Sequence, residues 1–200
     1  MRWPSSSSGW PRRLPRELRR TVPKIERLEW IAPLSEGRGV TLSNDPAADL
    51  LLAEDPNALL LGVLLDSQYA SRQAFASPYR LHQRLGHLDL TEITAMEETA
   101  LHDVFRLKPA LHRFPRKFAG LTQQFAWYVV ETHGGDSSRV WREATDVDHL
   151  AQRILALPCF GVEKTTWTVG MLGTLGRLPF DGWQGYRATV PKRTAKPGQQ

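Results

Sequence analysis

Apolar side chains recur every three or four residues through the middle of this chain, and no stretch alternates with period two for long enough to read as a strand. Asp55-Pro56 reads as an N-cap with proline at the first helical position, opening a buried helix through Leu59–Leu65. Pro78-Tyr79 is expected to open another short helix, Thr91 to cap one carrying Ile93 and Met96, and Glu98 to Phe105 to form its own. The amphipathic pattern is clearest from Pro115, where Phe118, Leu121, Thr122, Phe125, Tyr128 and Val129 share a face until His133-Gly134-Gly135 stops it. Asp146 caps a helix carrying Val147, Leu150 and Ile154, and Leu157-Pro158-Cys159-Phe160-Gly161 follows. A last helix is expected from Val162 to about Leu175, with Gly176 behind it. The pattern predicts an all-α domain.

Composition narrows the chemistry. The 200 residues suffice for one domain with tails. The longest run of apolar residues and glycine, Ala58 to Leu65, is far too short to span a bilayer, so no membrane partner is expected. The single cysteine, Cys159, cannot form an internal disulfide, a zinc knuckle or a cysteine-ligated iron–sulfur cluster. The six histidines show no metal-ligand spacing. No metal or other cofactor is expected, and the simplest compartment is a reducing cytoplasm.

The net charge of +5 is unevenly placed. Residues 1–40 carry nine Lys/Arg against four Glu and read as a basic, disordered tail; residues 187–200 carry four Lys/Arg and no acid and read as a second. The domain between them, 41–186, holds thirteen basic and seventeen acidic residues and is mildly acidic. Global basicity is therefore weak support for a nucleic-acid partner. A local contrast is stronger, because Arg106–Lys117 has five Lys/Arg and no acid inside that acidic domain. Trp127, Trp141 and Trp167 are expected in the core.

Around Leu157–Gly161 the residues fit two structures. An ordinary helix–helix corner would use Leu157 and Phe160 as core anchors. A phosphate-binding hairpin would add a close backbone approach at Gly161 and outward N–H groups at the start of the next helix. Together with Leu64-Leu65-Asp66-Ser67-Gln68 and Glu131–Asp136 in matching order, this segment resembles the helix-hairpin-helix/Gly-Pro-Asp DNA glycosylase superfamily, the endonuclease III-like fold. The resemblance covers about Asp45 to Trp183, and is nearest to a small bacterial branch without the iron–sulfur cluster, in which Lys108–Pro115 and Asp181-Gly-Trp183 recur.

The resemblance implies a two-lobed helical fold, monomeric, that grips bent duplex DNA carrying a damaged or mismatched base. That base is flipped into a pocket, and its N-glycosidic bond is hydrolysed. Gln68 matches the glutamine near the flipped base, where an amide can replace lost base-pair hydrogen bonds; a helix C-cap is its plainer role. Arg106–Lys117 matches a DNA-contacting loop: Phe114 or Leu111 could wedge into the stack while Arg113, Arg116 and Lys117 meet phosphates. Phe114 could equally staple the helix begun by Pro115. Phe160, Gly161, Val162 and Lys164 are the hairpin's DNA-binding positions.

Lys164 stands one residue beyond the family's Schiff-base lysine, whose place Glu163 holds, so Lys164 is expected to face phosphate or solvent and no strand-cleaving lyase is expected. Asp181, twenty residues after Gly161, matches the catalytic aspartate, yet Asp-Gly is also a common turn pair. Cys159 replaces the first hairpin glycine, and after Trp183 less helix follows than the family uses to close its pocket. The expected activity is a monofunctional DNA N-glycosylase of base-excision repair. A non-catalytic DNA-binding module, a shortened inactive relative and a helical protein-interaction domain are the alternatives.

Overall fold

Aspartate followed by proline starts the first two helices, α1 (Pro46–Glu54) and α2 (Pro56–Leu65), in a computed structural model described for residues 41–189. The Asp45 carboxylate accepts the Ala47 and Ala48 N–H groups, and Asp55 accepts those of Asn57 and Ala58. Each cap satisfies donors that the first turn leaves open, while proline gives up an N–H that had no partner. Every residue from Ala58 to Leu65 is buried, so α2 is the central rod of the core.

Around it pack α1, α3 (Ser71–Leu85) and α6 (Pro115–His133), while α4 (Leu90–Ala95) and α5 (Glu98–Arg106) lie on α6. Gly62 admits the Phe75 ring of α3, since a Cβ there would lie 2.6 Å from it. Then come α7 (Arg139–Arg142), α8 (Val147–Leu155) and α9 (Val162–Thr174), the last two packed on each other. Phe160, between them, stacks on Phe125 of α6 at 6.3 Å. No strand occurs among the described residues, and none of their helices is long and apolar enough to cross a membrane.

Three expectations change. Pro78 opens no helix; it lies inside α3, where the lost backbone bond is tolerated because Phe75, Ala76, Pro78 and Leu81 are buried and the Ser77 hydroxyl donates to the Leu111 carbonyl at 2.6 Å. Asp89, not Thr91, caps α4, its carboxylate accepting the Thr91 and Glu92 N–H groups. A further helix, α1, precedes the first one expected. The tails expected at 1–40 and 187–200 lie outside the described residues, apart from 187–189.

After α9 the chain turns at Gly176, φ +66°, and runs back along that helix. The Trp183 ring sits directly on Gly173, the Ala188 N–H donates to Thr166 Oγ1 at 2.9 Å, and the Tyr186 hydroxyl donates to Asp148 of α8 at 2.8 Å. Burial and the Asp148 carboxylate push that tyrosine up to about 12.

Candidate functional site

The end of α2 builds the first wall of the site. Past Leu65 the chain makes a tight turn, and Gln68 holds φ +54° with its amide exposed. Three side chains from two other parts of the chain pin this turn. Lys164 of α9 donates its ammonium protons to Ser67 Oγ at 2.8 Å and to the Leu64 carbonyl at 3.1 Å. His112 Nε2 lies 3.1 Å from the Ser67 carbonyl, and the Arg113 guanidinium donates to the Gln68 carbonyl at 3.4 Å.

Gln68, Lys117 and Lys164 line one cleft of about 640 Å³, together with Asp66, Glu163 and Trp167. The residues come from the turn after α2, from α6 and from α9, so the cleft exists only in the folded chain. Lys164 is not turned to phosphate or solvent as its register suggested. Its amine crosses to the α2 turn, half-buried, and burial pushes it below its ordinary value while the Asp66 carboxylate pulls it back. Its Nζ also lies 5.4 Å from the centre of the Phe160 ring. Trp167 does not belong to the core either: it is 43 % exposed and forms a wall of the cleft, its ring 5.5 Å from Phe75.

The turn between α8 and α9 has two anchors, Leu157 and Phe160, both buried. Phe160 is therefore a packing residue with no face left for a ligand. Cys159 holds φ +65°, a left-handed conformation that suits glycine. Gly161 holds φ −89° and is open to solvent, with no atom within 4 Å of where its Cβ would lie. No side chain caps α9, and the first helical bond runs from the Thr165 N–H to the Gly161 carbonyl. The N–H groups of Val162, Glu163 and Lys164 thus come before the first helical acceptor is used.

The basic stretch divides by burial. Leu111 is fully buried and cannot wedge into anything, whereas Phe114 is 39 % exposed with the Arg113 guanidinium 4.6 Å from its ring centre. Arg113, Arg116 and Lys117 are exposed along the same edge. His112, which sequence reasoning passed over, is completely buried between the stretch and the Gln68 turn. Its place among basic residues hid it, since nothing in R-L-K-P-A-L-H-R-F-P-R-K marks that one position as core.

Asp181 is apart from all of this. It is exposed on the connection after α9, lines neither this cleft nor the neighbouring groove, and is two residues from Trp183, which rests on Gly173. Gly173 is nine residues beyond Lys164, about 13 Å along the helix axis. The carboxylates that do line the cleft are Asp66 and Glu163, and the Ser71 hydroxyl steadies Asp66 at 3.0 Å. The second groove, about 760 Å³ between α9 and the returning segment, is walled mainly by Trp167, Trp183 and Tyr186. No family model, curated protein or solved structure matches the chain.

Proposed function

We propose that this chain is a base-excision DNA repair protein whose two-lobed, helix-hairpin-helix glycosylase-type domain grips duplex DNA and hydrolyses the N-glycosidic bond of one extruded nucleotide. The observation that supports it is the meeting of Gln68, Lys117 and Lys164 in one cleft beside the uncapped start of α9. Open backbone donors and exposed Arg113, Arg116 and Lys117 suit phosphates, the Gln68 amide suits an unpaired base, and Trp167 offers a stacking face. The C1′–base bond breaks, water adds to C1′ and the base leaves with a proton. A carboxylate beside the sugar stabilises the developing cation. Asp66 takes this role in place of Asp181, because it lines the cleft and is held by Ser71. Lys164, engaged by two protein oxygens, ties α9 to the turn and forms no imine.

A second reading, a non-catalytic DNA-binding module, is favoured by one observation, the distance of Asp181 from the cleft. The experiment that separates them is a panel of duplexes with single damaged or mismatched bases, scored for abasic sites by alkaline strand scission. Alkali-dependent scission is expected with one lesion class, with no nick before alkali. Asp66→Asn should then cost about a hundredfold in turnover, on the order of 3 kcal/mol, and Asp181→Asn should cost nothing. Duplex binding without abasic sites on any duplex would leave the module. No duplex binding would sink both and leave a helical protein-interaction domain.

A further inference from the structure

His112 lies where the turn after α2 meets the connection into α6. Its ring centre is 3.5 Å from that of Phe118 and 4.7 Å from that of Tyr69. Both ring nitrogens are used, and by different segments. The Phe114 backbone N–H donates to Nδ1 at 3.0 Å, while Nε2 lies 3.1 Å from the Ser67 carbonyl oxygen. A backbone N–H only donates and a carbonyl only accepts. Nδ1 therefore carries no proton, and Nε2 carries the one that Ser67 receives.

One neutral tautomer thus joins the residue before Gln68 to the backbone of Phe114. A charged ring would set a second N–H against the Phe114 N–H. Burial keeps the imidazole below its ordinary value; the Ser67 and Leu65 carbonyls oppose this, and the charges of Arg113 on its own loop and Lys117 on α6 add to it. Across the turn, Lys164 and Asp66 complete the charged surroundings. Gln68 lies past the end of α2, and Phe114 is the N-cap of α6, tied to it by the Phe118 N–H on its carbonyl at 3.1 Å while its side chain makes no capping bond.

We propose that His112 is a positioning residue that couples the Gln68 turn to the Phe114 loop, so that the amide and the ring meet the duplex as one unit. The inference rests on the DNA-binding reading above. Extruding a nucleotide leaves a gap in the stack and an unpaired base opposite. An apolar ring fills the first and an amide satisfies the second, and the two serve one gap only if their spacing is held from behind. His112 holds the backbone of both segments with its two ring nitrogens at 3.0 and 3.1 Å, and the longer bonds of Arg113 to the Gln68 carbonyl at 3.4 Å and of Tyr69 to the Ala110 carbonyl at 3.5 Å run beside it.

The test is a double-mutant cycle on the full chain with Gln68→Ala, Phe114→Ala and the double variant. The probe is a duplex with a tetrahydrofuran abasic analogue beside 2-aminopurine, whose fluorescence reports unstacking. In the parent, the double variant should depart from the product of the single effects by about tenfold. His112→Asn can still accept the Phe114 N–H but is too short for Ser67, and His112→Gln reaches Ser67 but leaves Phe114. In either background the departure should fall within about twofold, with thermal melts confirming a folded chain. A cycle unchanged in both folded variants, or additive in the parent, overturns the coupling. Amide hydrogen exchange on the free protein keeps this separate from the DNA reading. The Ser67 and Phe114 amides should open together in the parent, with an opening equilibrium that rises for both as pH falls, but independently in His112→Asn. Independent opening in the parent overturns the coupling without DNA, whereas loss of all duplex binding with joint opening intact overturns the DNA reading alone.

Discussion

Gln68 and Cys159 are the two residues other than glycine that hold positive φ among the described residues, at 54° and 65°. A Cβ in that region costs about 1 kcal/mol. Cys159 is exposed and forms no disulfide, so Cys159→Gly should raise the unfolding free energy by about 1 kcal/mol, seen as a higher urea midpoint at unchanged slope. Gln68→Gly should stabilise by a similar amount yet abolish the 2-aminopurine signal, since strain kept at a site is strain the site uses. A less stable Gln68→Gly would show instead that the amide holds the turn. Acid acts on two further residues. Burial keeps His112 and His133 below their ordinary value of 6.5, so the unfolded chain binds their protons more readily. The stability this brings is complete above pH 6.5 and is lost as pH falls through the folded values. The urea midpoint should therefore drop between pH 7.5 and 5, and His112→Gln should remove part of that drop.

Elements were legible where the local signal and the packing agree. Asp55-Pro56, the Pro115 start with its Gly134 stop, and Asp146 before α8 each bound a helix in the place their residue types demand. Asp45-Pro46 carries the same signal for α1 and could have been read from it. Pro78 misled because a proline's cost is local while its compensation, burial against the core and the Ser77–Leu111 bond, is tertiary. Trp167 misled for a related reason. Spacing puts it on an apolar face, but only the neighbouring helices decide whether that face meets core or cleft. Asp181 matched a spacing, and spacing along a chain does not say beside which end of α9 that residue comes to lie. Two glycines of α9 test that segment. Gly173→Ala would drive a methyl into the Trp183 ring and should cost about 1–3 kcal/mol, with a changed tryptophan emission. Gly170→Ala meets nothing within 4 Å and should stabilise by up to about 1 kcal/mol. If Gly173→Ala keeps the duplex binding and alkali-dependent scission of Gly170→Ala, the cleft does not depend on the packing of Trp183 against α9.

At the scale of the molecule the charge is arranged against itself. Residues 41–186 carry more acid than base, so the net charge of the domain works against a polyanion. Arg113, Arg116 and Lys117 interrupt that surface along one edge, next to the Gln68 turn and Phe114. The sequence outside 41–186 adds thirteen further Lys/Arg, which would attract any polyanion whatever its shape. Two kinds of basic residue therefore contribute to affinity, and salt alone does not separate them. Each neutralised phosphate steepens the fall of log K with log salt by about 0.9, so replacing Arg113, Arg116 and Lys117 with alanine in the full chain should flatten the slope by about 2.7. Replacing three basic residues of the 1–40 segment should flatten it by a similar amount. The difference lies in what else is lost. The edge residues sit beside the groups that would enter the stack, so their removal should also extinguish the 2-aminopurine signal at saturating protein, whereas the 1–40 replacements should leave it intact. A full signal from both triple variants at saturation would mean that the basic edge merely collects DNA and takes no part in seating the base.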